Sequence, residues 1–123
     1  MADKIYVRYI IVAHRRFFDP HNQYKEKELH EVITVGRAND NDIQLIYPWI
    51  SNYHGRIFLE QGFFTEHLDY EDYSSNGSVV IHWNSFAGKS EYVHKKKVKI
   101  KPGSWILIQN NGEEGLILIP FII

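Results

Sequence analysis

Short runs of apolar, β-branched and aromatic residues, separated by polar turn signals, fill most of this chain and read as extended strands, in places with the period-two alternation of a strand with one face buried. Residues 5–12 (Ile-Tyr-Val-Arg-Tyr-Ile-Ile-Val) are rich in β-branched and aromatic side chains, and residues 31–35 resume the pattern after a polar stretch. Residues 56–60 and 63–68 flank Gln61-Gly62, a turn signal, and residues 78–82 form a short apolar run. Residues 97–101 alternate strictly, with Val98 and Ile100 on one face and three lysines on the other. Pro102-Gly103 marks a turn, and residues 104–109 and 115–119 flank Asn110-Asn111-Gly112, a hairpin signal. The run 116–119 is apolar on both faces, which predicts a central, well-buried strand.

No stretch of ten or more residues carries a helical stripe. Only residues 24–30 have helix-forming composition, and they are few. Many short strands separated by turns predict an all-β fold, a sandwich or a barrel. Two polar stretches, 14–29 with Asp19-Pro20 and 83–94 with Ala87-Gly88 at its tip, are expected to be surface loops. There is no internal repeat, low-complexity tract or linker, and 123 residues argue for a single domain spanning 1–123.

Composition narrows the function. Apolar residues make up 44% of the chain, enough for a real core, and the net charge of −1 supplies no global field for nucleic acid or an anionic membrane. Any anion site is therefore local. The absence of cysteine excludes a disulfide scaffold, thiol chemistry and cysteine-based zinc sites. The charged start, Met-Ala-Asp-Lys, lacks the apolar core of a signal peptide, and the longest apolar stretch, 116–123, is interrupted by Pro120. It falls short of the roughly 18 to 20 residues of a membrane span. A cytoplasmic location, with no membrane insertion, is the expectation.

Three polar clusters fall at predicted strand ends or loops: Gly36-Arg37, Ser51-Asn52-Tyr53-His54 and Ser75-Asn76-Gly77. Together they offer a guanidinium, hydroxyls, side-chain amides and loop N–H groups. That set suits holding a phosphate, which takes many donors and a fixed fork of charge, more than transforming one. Hairpin geometry brings the second and third clusters to one end of the fold. The first is harder to place. If residues 42–45 formed an ordinary antiparallel strand, Arg37 and Ser51 would lie at its opposite ends, and local pattern leaves this open.

Taken in order, these residues resemble the forkhead-associated (FHA) domain, a phosphothreonine-binding β-sandwich. The family pattern is Gly-Arg, then Ser-x-x-His, then Asn-Gly. Here Gly36-Arg37 is followed by Asn41-Asp42-Ile43, then Ser51 and His54, then Asp72-Tyr73-Ser74-Ser75-Asn76-Gly77-Ser78. The stretch Lys-Pro-Gly-Ser-Trp-Ile-Leu-Ile at 101–108 matches a late strand pattern of the family. The motif region covers about residues 32–80. The resemblance implies a two-sheet sandwich of about eleven strands (SMAD/FHA-like) with all three loops at one end. Two departures stand out: Ser75 where the family often has threonine, and Gly55 where a larger residue is common.

The resemblance also implies roles. Arg37 donates two N–H groups to phosphate oxygens, against the alternative of a surface pair with Asp40 or Asp42. Ser51 donates its hydroxyl to the phosphate, Asn52 bonds the phosphate or the peptide backbone, and Ser75 reaches the phosphate. Asn76 bonds the ligand main chain just after the phosphorylated residue. Gly36, His54 and Gly77 are structural, with His54 tying neighbouring loops together. A small pocket takes the threonine methyl, and selectivity for later ligand positions is expected near residues 82–84. The implied partner is a protein or peptide phosphorylated by a Ser/Thr kinase, with no cofactor, metal, nucleic acid or catalytic residue; oligomeric state is left open. The resemblance admits a second function, a domain of this fold that recruits partners independently of phosphate, for example within a secretion or signalling complex.

Other signals are weaker. None of the seven histidines is spaced His-x-x-x-His or His-x-His. Asn39-Asp40-Asn41-Asp42 lacks the glycine and distal glutamate of a calcium loop. Ser51 has no Gly-x-Ser-x-Gly elbow. Lys95-Lys96-Lys97 reads as a solvated strand edge that blocks sheet addition, or as a lure for acidic partners.

Overall fold

The computed structural model describes residues 4–12, 24–61, 66–83, 87–110 and 114–122. They form eleven strands: β1 (Ile5–Val12), β2 (Tyr24–Leu29), β3 (Val32–Gly36), β4 (Ile43–Gln44), β5 (Gly55–Gln61), β6 (Glu66–Asp72), β7 (Ser78–Trp83), β8 (Gly88–Val93), β9 (Lys97–Ile100), β10 (Trp105–Asn110) and β11 (Glu114–Ile122). One sheet has six strands in the order β2-β1-β11-β10-β7-β8, the other five in the order β4-β3-β5-β6-β9. No helix among the described residues is long and apolar enough to cross a membrane.

Alternation builds the core. Val7, Leu116, Leu118, Ile106, Ile108 and Val80 from the first sheet pack in one buried cluster with Ile33, Val35, Ile57 and Tyr70 from the second. Each fully buried aliphatic side chain contributes about 1.5–3 kcal/mol of burial free energy. β11 lies between β1 and β10, as its two-faced apolar run requires. It continues through Pro120, whose carbonyl accepts the Gly103 N–H at 2.7 Å. The second sheet turns a charged face outward: Arg56 pairs with Glu71 at 2.9 Å and Lys97 with Glu60 at 2.8 Å.

Three sequence expectations are corrected. Residues 24–29 are an edge strand, neither helix nor loop: Arg8 of β1 meets Glu26 at 2.9 Å across the β1–β2 ladder. Residues 88–93 are also an edge strand, β8, and not a loop. The strand expected at 63–68 is placed at Glu66–Asp72 and runs four residues further, because Asp72 pairs with Gly55 in the β5 ladder. Residues 62–65, 84–86 and 111–113, which include the Gln61-Gly62 and Asn-Gly turn signals in part, lie outside the described residues, as does most of the polar stretch from residue 14.

The parity question is resolved by β4. It is two residues long and runs parallel to β3, with Val35 opposite Ile43 and Gly36 opposite Gln44. The chain leaves β3 at Gly36, curls back over residues 37–42, and climbs again toward the same end. Arg37 and Ser51 therefore share one rim.

Candidate functional site

Backbone bonds lock the three loops together. The Arg37 N–H donates to the Ser51 carbonyl at 3.0 Å, and the Ala38 N–H to the Asn52 carbonyl at 3.2 Å. Gly36 lies against this junction, where an added Cβ would collide with the Asn52 carbonyl and lie 2.8 Å from Asn41 Nδ2. Asn41, nearly buried, donates its side-chain N–H to the carbonyls of Ala38 (2.9 Å) and Asn52 (2.8 Å) and so fixes the curl. The acids that competed for Arg37 are engaged elsewhere. Asp40 accepts from the Tyr53 hydroxyl at 2.9 Å, and Asp42 accepts from the Thr34 N–H at 2.9 Å.

His54 is the tie between the second and third loops. It is 1% exposed. Its Nδ1 accepts the Ser51 N–H at 3.3 Å, which leaves Nε2 to carry the proton and donate to the Gly77 carbonyl at 3.2 Å. Burial pushes its pKa down, against smaller upward pulls from that bond and from Asp72, in keeping with a neutral ring. The ring bonds the backbone of Ser51 and not its hydroxyl, so it is no base for a serine nucleophile.

Beneath the third loop lies a polar knot that the sequence did not announce. The Asp72 carboxylate accepts from Ser74 N–H (3.0 Å), Ser74 Oγ (2.9 Å), Ser78 Oγ (2.7 Å) and the Lys95 N–H (3.1 Å). Ser74 Oγ in turn accepts the Gly77 N–H at 2.7 Å, and the Tyr70 hydroxyl meets Ser78 Oγ at 2.7 Å. Burial drives the Tyr70 pKa far up, so it remains a hydroxyl. Tyr70 also accounts for Gly55, since its hydroxyl would lie 2.5 Å from a Cβ there. The Asp-x-Ser spacing, with the serine bonding back to the carboxylate, was the one local signal that could have revealed this knot. Gly77 adopts φ +85° and lies against the Tyr92 ring, which leaves no room for a side chain. The Tyr92 hydroxyl donates to the Asn76 carbonyl at 2.8 Å.

On this base sits a pocket of about 290 Å³ lined by Arg37, Pro48, Trp49, Ile50, Ser51, Asn52, Ser75 and Asn76. All five residues assigned to ligand contact line it, and the three structural ones, Gly36, His54 and Gly77, support its walls. No carboxylate lines it. Asn52 Oδ1 accepts from Arg37 Nε at 3.3 Å, which orients the guanidinium and leaves its two terminal nitrogens without a partner among the described residues. Ser51 Oγ accepts the Ser75 N–H at 3.1 Å and keeps its own proton to donate. Arg37, Asn52, Ser75 and Asn76 are all exposed. Trp49, which the motif did not include, stacks on Tyr47 with ring centroids 5.3 Å apart, and its buried Nε1 has no partner among the described residues.

Other expectations lie away from this rim. His82 and Trp83 end β7, whose first residue, Ser78, is the one beside the third loop, so they stand at the far end of the strand; residue 84 is outside the described residues. Among the described residues, Glu60, His67 and Asp69 form one cluster with metal-ligand chemistry, but the Lys97 ammonium already stands 2.8 Å from Glu60 and 3.9 Å from Asp69.

Comparison with known proteins agrees with this fold. The family model described as "FHA domain" matches residues 33–109. Comparison with curated proteins finds no match. Among solved structures, an FHA domain of a hypothetical protein from Arabidopsis thaliana superposes with a TM-score of 0.64 at 17% identity, covering 99% of this chain and 87% of that one. Full-length yeast Pml1p gives 0.65 at 17% identity, covering 97% and 83%. The MEK1 FHA domain in complex with a HOP1 phosphothreonine peptide gives 0.57 at 18% identity, covering 93% and 95%. At these identities the likeness is one of fold.

Proposed function

Since this chain belongs to the forkhead-associated family, we propose that its rim pocket binds a phosphothreonine-containing segment of a partner protein, written there by a Ser/Thr kinase. The observation that carries this reading is the pocket's inventory: a guanidinium with two uncommitted terminal nitrogens, the Ser51 hydroxyl, and the side chains of Asn52, Ser75 and Asn76, with no carboxylate among them. A dianion entering such a site meets a cation and several side-chain donors, and no opposing carboxylate. Arg37 and Ser51 take phosphate oxygens, Asn52 holds Arg37 and offers its own amide, Ser75 adds a hydroxyl, and Asn76 takes the ligand main chain after the phosphorylated residue. Each charge-assisted bond contributes about 1.5–3 kcal/mol. Selection of threonine over serine adds about 1–3 kcal/mol for one methyl in a fitted pocket.

The family is one of interaction modules, not enzymes, and the pocket has no general base: His54 spends both nitrogens on backbone groups. Recruitment independent of phosphate is the rival reading. Titration of a phosphothreonine peptide, its phosphoserine analogue and the unphosphorylated peptide, followed by amide and side-chain chemical shifts, separates the two. The phosphothreonine form should bind in the micromolar range and move Arg37, Ser51 and Asn76, with the other two forms weaker or silent. Equal shifts from the unphosphorylated peptide would overturn the proposal.

A further inference from the structure

We propose that Glu60, His67 and Asp69, brought together across the β5–β6 hairpin, form a binding site for a divalent cation of the zinc class. Glu60 stands directly opposite His67 in the β5–β6 ladder. Asp69 follows His67 on the same face of β6, the one turned away from the core residues Leu68 and Tyr70. An imidazole nitrogen and one oxygen from each carboxylate lie within 4.8 Å of one another. Zinc takes such a donor set, three protein ligands of nitrogen and oxygen with a fourth position left to water. The chain alone gives no hint of it, because the ligands meet only once the hairpin forms. Glu60 lies near the far end of β5 from Gly55, roughly 16 Å from the rim at about 3.3 Å per residue. The site therefore stands apart from the phosphothreonine pocket and does not rest on its assignment.

Asp69 is the residue that asks for a ligand. Its side chain is 4% exposed, yet among the described residues its contacts with donors are His67 Nε2 at 3.6 Å and Lys97 Nζ at 3.9 Å, both beyond hydrogen-bond range. Its other polar neighbour is a second carboxylate, Glu60. Asp72, comparably buried, collects its donors at 2.7–3.1 Å. A buried carboxylate left so poorly satisfied is costly unless a cation completes it. Lys97 answers only in part, because its ammonium leans to Glu60 at 2.8 Å. Two carboxylates against one ammonium leave a negative charge over, which a divalent ion in place of the ammonium would neutralise. Lys97 is able to leave: its side chain is 44% exposed on a flexible stem, and the Phe58 ring 5.9 Å away offers it another resting place. Glu60 and His67 are half-buried, so ordinary side-chain rotation closes the donors onto one ion, with Asp69 as the fixed point.

The test titrates zinc chloride and, separately, magnesium chloride into untagged, chelator-treated protein, followed by calorimetry, melting curves and histidine side-chain NMR. Wild type should bind zinc with a dissociation constant of about 1–10 μM and shift the His67 ring signals first. Saturating zinc should raise the melting temperature by about 5 °C. Magnesium, which gains nothing from a nitrogen ligand, should do neither. Asp69→Asn and His67→Gln should each weaken zinc binding by about tenfold or more, with melting curves of the metal-free variants reporting that the fold is kept. Lys97→Gln should strengthen zinc binding by about three- to fivefold, because it removes the competing ammonium. A cluster that serves only to pair with Lys97 would lose stability in that variant and gain no affinity. Wild-type zinc affinity in both His67→Gln and Asp69→Asn would place the ion on other histidines and overturn the site. An equal response to magnesium, or no calorimetric binding to wild type, would overturn it as well. Phosphopeptide enters none of these readouts, so their failure leaves the rim pocket's assignment standing.

Discussion

Gly36, Arg37 and His54 show how single residues divide the labour. Arg37 is exposed and touches the fold through its backbone and through Asn52, which suits the ligand role proposed for it. Gly36 belongs to the scaffold, because the Asn52 carbonyl occupies the space a Cβ would need. Gly36→Ala should cost about 1–3 kcal/mol of stability by overpacking and weaken phosphopeptide binding by displacing Asn52, measured by chemical denaturation and by titration. His54 makes the rim sensitive to acid. Its Nδ1 must accept the Ser51 N–H, so the folded protein favours the neutral ring and the folded pKa lies below the unfolded 6.5. This contribution is fully present above about pH 6.5 and is lost as pH falls below it, because the unfolded chain then binds the extra proton first. Stability measured from pH 7.5 to 5 should therefore fall more steeply in wild type than in His54→Asn, and parallel curves would contradict the assignment of the neutral ring.

Elements explain what the sequence concealed. Strands with a buried face printed an apolar code: central β11 read directly from residues 116–119, and β9, although at an edge, from the alternation of Val98 and Ile100 with lysines in residues 97–101. The edge strands β2 and β8 of the six-stranded sheet were not legible. An edge strand is paired on one side only, and Lys25, Glu26 and Lys27 or Gly88, Lys89 and Ser90 meet the polarity of solvent instead of the core. The motif positions were legible by a different route: Gly36-Arg37, Ser51, His54 and Asn76-Gly77 resemble, in order and spacing, the pattern of the family. The knot around Asp72 was not, because it depends on Ser78 and Lys95 arriving from β7 and the β8–β9 turn. Two substitutions separate these contributions. Asp72→Ala leaves several buried donors unsatisfied and should cost about 3 kcal/mol or more, read as a fall in melting temperature. Tyr92→Phe removes one bond to the Asn76 carbonyl and should weaken ligand binding by about 1 kcal/mol with a smaller effect on unfolding.

At the scale of the molecule, the sandwich keeps stability and recognition in different residues. The residues that tie the loops together, His54, Asp72, Ser74 and Ser78, are buried, while Arg37, Asn52, Ser75 and Asn76 face solvent at one end. The open edge of the five-stranded sheet is guarded by Lys97 and Lys99 on β9. Replacing both with valine should promote self-association, visible by sedimentation, and no change would show that another feature protects this edge. The central claim is that one guanidinium, held ready by Asn52, captures a phosphate without contributing to the fold. Isothermal titration of one phosphothreonine peptide into wild type and Arg37→Ala, with melting curves of both, tests it most directly. The account predicts a loss of affinity of about a hundredfold or more for the variant, with folding stability within about 0.5 kcal/mol of wild type. Equal affinity in the two proteins would contradict it.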